Sequence, residues 1–145
     1  EDSDTTILYK LPILVLSMTA ELIMIMKAIE LAIARGFKRV AILTDSKSGC
    51  MSLLKADDND ICICIHNMLN NTQIIEHVEV HYFPSHRGIS SNIIVDEAAK
   101  RAITDGSELE MKWWRRDAIN EIERGLYDDW ERNFKCIIMK RCKLW

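Results

Sequence analysis

Residues 19–35 read TAELIMIMKAIELAIAR, a run too long for a strand and rich in good helix formers, with isoleucine as almost its only β-branched interruption. It is apolar on nearly every side, so the helix it predicts is buried against a sheet rather than laid on the surface. Gly36 follows as a C-terminal stop. KRVAILT, residues 38–44, then has the short apolar pattern of a central parallel strand. A buried helix leading straight into such a strand is half of an α/β architecture, and the rest of the chain has to be compatible with it.

The flanking segments fit that frame. TTILYKL, residues 5–11, is β-branched and aromatic and ends against Pro12, which predicts a strand. After Thr44, DSKSG turns into a helix that Ser46 is placed to cap and that ends near the acidic cluster at 57–60, with a second helix over about 60–70. HVEVHYF, residues 77–83, alternates polar His77, Glu79 and His81 with apolar Val78, Val80 and Tyr82, the pattern of a half-exposed strand that stops at Pro84. NIIVDEAAKRAI, residues 92–103, predicts a helix capped by Asn92 or Ser91, with Gly106 beyond its end. Met111, Trp114, Ala118, Ile122, Leu126 and Trp130 recur at three or four residues, one stripe of an amphipathic helix that docks on this domain or on a neighbouring one. The organisation expected is an α/β domain over 1–105 and a helical appendage over 106–145.

Composition narrows the function classes. A net charge of −3 and a pI near 5.8 argue against a broad basic field that holds nucleic acid, so any such contact is local or metal-assisted. Five cysteines without CxxC spacing suit a reducing, intracellular compartment, cytoplasmic or nuclear. Cys62, Cys64 and His66 make a poor soft-metal set, because a helix turns Cys64 away from the other two; buried helix cysteines are the better reading. LPILVLSMTAELIMIM, residues 11–26, is broken by Pro12 and carries Glu21, which excludes a membrane span, and the acidic opening EDSD is unlike a signal peptide.

Three acids stand where α/β folds place functional groups: Glu21 in the first turn of the buried helix, Asp45 just past the apolar strand, and Asp96 in the first turn of the last core helix. Each has an ordinary structural explanation, since first-turn acids complement the helix dipole and an Asp after a strand commonly caps the next helix. Taken together, carboxylates gathered at element ends with a loop histidine are what hard cations such as Mg²⁺ require. Without a cation they would repel and raise one another's pKa. Two such ions can activate a water and stabilise the leaving oxygen in phosphodiester cleavage.

TAEL at 19–22, ILTDSKS at 42–48 and PSHRGISSNIIVDEAAKRA at 84–102 resemble, in content and order, the type I ribonuclease H domain of the kind carried by non-LTR retrotransposon polyproteins. The resemblance implies a ribonuclease-H-like mixed sheet flanked by helices, with a C-terminal amphipathic helix added. It also implies an endonuclease that uses Mg²⁺, with Mn²⁺ as a substitute, to cut the RNA strand of an RNA·DNA hybrid, alongside other domains of a reverse-transcriptase polyprotein. Residue by residue, Glu21, Asp45 and Asp96 match the family's metal-holding acids, His86 its loop histidine, and Asn92 the asparagine before the last acid. Ser46, Ser48, Asn92 and Arg87 fall where relatives face nucleic acid.

The family's first aspartate, on the first strand of its sheet, has no counterpart. TTILYKL takes the place of the third strand, so the first two strands are expected to be missing, and Asp2 and Asp4 read as a polar hairpin loop. The alternative is a remnant that binds nucleic acid or protein without cutting. A transposase or integrase core fits less well, because it lacks the SHRGI and N…DEAAK signature.

Overall fold

The computed structural model describes residues 6–12, 15–55, 59–84, 90–110 and 114–141, with the backbone alone at 90–94, 96 and 133–141. Mixed α/β elements follow one another as β1 (Tyr9–Lys10), α1 (Ser17–Ala34), β2 (Arg39–Thr44), α2 (Lys47–Lys55), α3 (Asp60–Asn71), β3 (His77–Tyr82), α4 (Ser90–Asp105), β4 (Ser107–Glu108) and α5 (Arg115–Arg141). The strands form two separate two-stranded sheets, β1 with β4 and β2 with β3, and all pairing among the described residues is parallel. The chain divides into two compact units, Glu1–Lys112 and Trp113–Trp145.

The core of the first unit is built on α1. Leu22, Ile23, Ile25, Ile29 and Ala32 are buried there, and the helix packs against β2, α2 and α3, which add Ile42, Ile61, Cys62 and Ile65. Burying each large side chain of this kind is worth about 1.5–3 kcal/mol. Burial is not complete all round, however: Met24, Met26, Leu31 and Ile33 stay half-buried. The helix ends as its glycine predicts. Gly36 has φ +72°, Gly36 N donates to Ile33 O and Phe37 N to Ala32 O, both at 3.0 Å, which is the paired closure of a helix that steps into the left-handed region.

From this turn the chain enters β2. Val40, Ile42 and Thr44 face inward, whereas Arg39, Ala41 and Leu43 are exposed, Leu43 by 70%. β2 is parallel to β3, as expected; among the described residues it has no second strand beside it, and the face carrying Arg39, Ala41 and Leu43 is exposed. Register runs from Arg39 opposite His77 to Thr44 opposite Tyr82. Because the strands are parallel, their C-terminal ends lie side by side, and Phe83 N donates to Thr44 O at 2.8 Å.

Two short helices, α2 and α3, connect β2 to β3, and each is capped by a side chain. Ser46 Oγ accepts from Gly49 N at 3.1 Å and so caps α2, as expected, and Asn59 Oδ1 accepts from Ile61 N at 2.9 Å to start α3. On α3 Cys62 is buried and Cys64 exposed, which separates them as the helical spacing requires. Among the described residues 6–11 the expected strand is limited to Tyr9–Lys10, and α4 begins at Ser90, ahead of the Ser91 or Asn92 expected to cap it. β4 was not foreseen: Ser107 N donates to Leu8 O and Leu109 N to Lys10 O, each at 3.0 Å. Gly106 makes that return possible, because a Cβ there would strike Ala102 O and stand 2.9 Å from Lys10 N.

The second unit is the helix α5, begun by a bond from Ala118 N to Trp114 O at 3.0 Å. Of the apolar stripe, Ile122, Leu126 and Trp130 are exposed, and the Trp130 ring stands 6.2 Å from that of Tyr127. Met111 lies outside the described residues. No described helix is long and apolar enough to cross a membrane.

Candidate metal centre

Two of the three predicted acids come together at the C-terminal end of β2. Asp45 leaves the strand immediately after Thr44, and Glu21 projects from α1, which packs on the same strand. Glu21 is half-buried, and its carboxyl is held above the ordinary range, first by loss of water around it and then by the negative charge of Asp45. A hydrogen bond from Thr44 Oγ1 to Glu21 Oε2, at 3.4 Å, acts in the opposite direction and is outweighed.

The ordinary structural roles of both acids are not the ones they fill. Neither α1 nor α4 carries an acidic residue in its first turn, so Glu21 and Asp96 sit further into their helices than the sequence implied, and the dipole effect fades over that distance. Nor is Asp45 the cap of α2, since Ser46 does that work. What remains is a partly dehydrated carboxylate beside a second one, each with oxygen donors of the kind hard divalent cations take.

The turn after β2 is tightly held. Ser46 N donates to Thr44 Oγ1 at 3.1 Å, and Ser46 Oγ and Ser48 Oγ lie 3.3 Å apart. Ser48 is exposed and Ser46 half-buried, so both hydroxyls sit beside Asp45 at the surface. Gly49 keeps this turn against α1: a Cβ at that position would meet Ser46 Oγ at 3.0 Å and Leu22 at 3.8 Å.

The remaining expected residues are placed only by the backbone or not at all. Asn92 and Asp96 belong to α4, with their side chains outside the described atoms, and His86 and Arg87 lie outside the described residues, as do Asp2 and Asp4. Among the described residues no group of three or more His, Cys, Asp or Glu side chains is arranged to hold a metal ion. Thr44 is the residue that the sequence reading passed over. Its signal was a hydroxyl at the inward position that follows apolar Val40 and Ile42, directly before an acid.

Elsewhere on the unit, Glu79 lies between His77 and His81 on the open face of β3, 2.7 and 2.8 Å from their Nε2 atoms, and these bonds hold its carboxyl below the ordinary range. This surface cluster lies across from Arg39, Ala41 and Leu43, on the exposed face of the sheet rather than the face of Thr44, and contributes little stability.

The chain matches no known family model, no curated protein and no solved structure.

Proposed function

We propose that the chain is a ribonuclease-H-type domain whose Glu21 and Asp45 take part in a divalent-cation site for cutting the RNA strand of an RNA·DNA hybrid. The observation that carries this reading is the convergence at the C-terminal end of β2: Thr44 Oγ1 lies 3.4 Å from Glu21 Oε2, Asp45 follows Thr44 directly, and the Glu21 carboxyl is raised by burial and by the Asp45 charge. Folding that brings two acids together at a strand end costs stability when both are ionised, and a bound cation removes that cost. The donor set, carboxylate oxygens with hydroxyls around them, fits Mg²⁺ and Mn²⁺.

Topology adds support. α1 packs Glu21 onto β2, Asp45 directly follows the last residue of β2, and parallel β3 ends beside Thr44. Ligands of α/β sheets gather outside the carboxyl ends of the strands. In this reading Glu21, Asp45 and Asp96 hold the cation, Ser46, Ser48, Asn92 and Arg87 meet the nucleic-acid backbone, and His86 assists proton transfer or product release. When bound, Mg²⁺ supplies Lewis-acid activation of water and charge neutralisation at the phosphate. The chain's own part is to fix carboxylate oxygens at the end of β2 and to present the flanking hydroxyls toward the strand that is cut.

The test is a cleavage assay on a labelled RNA·DNA hybrid, a duplex DNA and a duplex RNA, titrating Mg²⁺ and Mn²⁺. It uses the 145-residue chain and a version extended upstream by an aspartate-bearing strand. Hybrid-selective cleavage by the extended version, lost in Asp45→Asn, is expected, with the shorter chain binding the hybrid without cutting it. Hybrid binding without cleavage by both versions would favour the non-catalytic remnant. Absence of both binding and cleavage would contradict either reading.

A further inference from the structure

We propose that Thr44 is a positioning residue for the cation site, its hydroxyl orienting the Glu21 carboxylate toward Asp45 and tying it to the turn that begins α2. The inference rests on the reading of Glu21 and Asp45 as cation ligands and assigns to it a residue that does not itself touch the cation.

Three bonds converge on Thr44, and their donors fix its geometry. Its carbonyl accepts from Phe83 N at 2.8 Å, which anchors the residue to the end of β3. Its Oγ1 accepts from Ser46 N at 3.1 Å. A backbone N–H can only donate, so the single proton of the hydroxyl is left for another acceptor, and Glu21 Oε2 lies 3.4 Å away. The hydroxyl therefore acts as a relay of fixed direction, from the Ser46 amide through Thr44 to the Glu21 carboxylate. At that length the last bond is weak, so its effect is to select an orientation of a mobile Glu side chain rather than to offset the repulsion from Asp45.

The sequence context agrees. At the inward positions of β2, Val40 and Ile42 are apolar, and a third apolar residue would complete the pattern. Thr44 has nearly the volume of valine and the same stiff branched side chain, so only its hydroxyl distinguishes it. Groups that orient a metal ligand through a hydrogen bond typically change metal affinity by about 10- to 100-fold when removed.

The experiment measures Mn²⁺ affinity of the full chain by electron paramagnetic resonance for the native sequence, Thr44→Val, Thr44→Ser and Glu21→Gln, with amide exchange at Ser46 followed in parallel. Thr44→Val is expected to weaken Mn²⁺ binding by about 10- to 100-fold and to speed exchange at Ser46. Thr44→Ser, which keeps the hydroxyl, should restore both. If Thr44→Val unfolds the chain, as circular dichroism would reveal, Thr44→Ala takes its place with the same expectation. Native Mn²⁺ affinity in a folded Thr44→Val or Thr44→Ala, beside lost binding in Glu21→Gln, overturns the positioning role while sparing the cation site. Native affinity in Glu21→Gln overturns both.

Discussion

Glu21 on α1 lies in the field of Asp45 at the end of β2, and its carboxyl is raised by burial and by that charge. An acid whose folded pKa lies above its unfolded value holds its proton longer in the folded state. Folded stability therefore falls as pH rises through the window that starts near the ordinary value of 4.5 and ends at the raised one. Glu21→Gln cannot ionise, yet its amide oxygen can still accept from Thr44. It should melt higher than the native chain at neutral pH and show a flatter stability profile across that window. Thermal melts of both proteins from acid to neutral pH check this, and an equal or steeper fall in the variant would contradict it.

The core makes a second prediction. Ile29 is fully buried on α1, whereas Leu54 on α2 is 80% exposed. Ile29→Ala should cost about 2–5 kcal/mol, and Leu54→Ala should stay within about 0.5 kcal/mol of the native chain. Urea unfolding of the two variants measures the difference, and similar losses would mean that the α1 core is misplaced.

The close approach at Gly106 gives a third. A Cβ there meets backbone rather than a flexible side chain, so Gly106→Ala should destabilise the first unit by about 1–3 kcal/mol. For the same reason a chain ending at Gly106 should melt lower than one ending at Lys112, because only the longer retains β4 against β1. Equal melting temperatures would show that the short sheet adds nothing.

Much of this fold was legible because local and long-range signals agree in it. The apolar helix closed by Gly36, the strand after it, Ser46 as a cap and the alternation of His77 to Val80 each rest on chemistry confined to a few neighbouring residues. What was not legible depends on partners distant in sequence. β4 exists only because Gly106 lets the chain return to Leu8 and Lys10, and the open face of β2 carries an apolar Leu43 that a pattern reading assigns to a covered strand. At the candidate centre, the proximity of Glu21 and Asp45 was expected. The part of Thr44 was not, because a threonine in a strand is ordinary until its hydroxyl is seen between an amide and a carboxylate.

The proposed activity orders its residues. Asp45→Asn removes a charge at the cation site and should lower hybrid cleavage by the extended chain about 100-fold or more. His86→Ala removes an assisting group and should cost less. Initial rates under saturating Mg²⁺ give the ranking, and a loss in His86→Ala as deep as that in Asp45→Asn would assign the histidine a different role.

The central claim, that folding assembles a divalent-cation site from Glu21 and Asp45, is tested most directly by titrating Mn²⁺ into the full chain at neutral pH and following the free ion by electron paramagnetic resonance. The native chain should remove Mn²⁺ from solution at a single class of site, and Asp45→Asn should abolish or sharply weaken that uptake without loss of helical signal. Undiminished Mn²⁺ uptake by a folded Asp45→Asn, or none by the native chain, would contradict it.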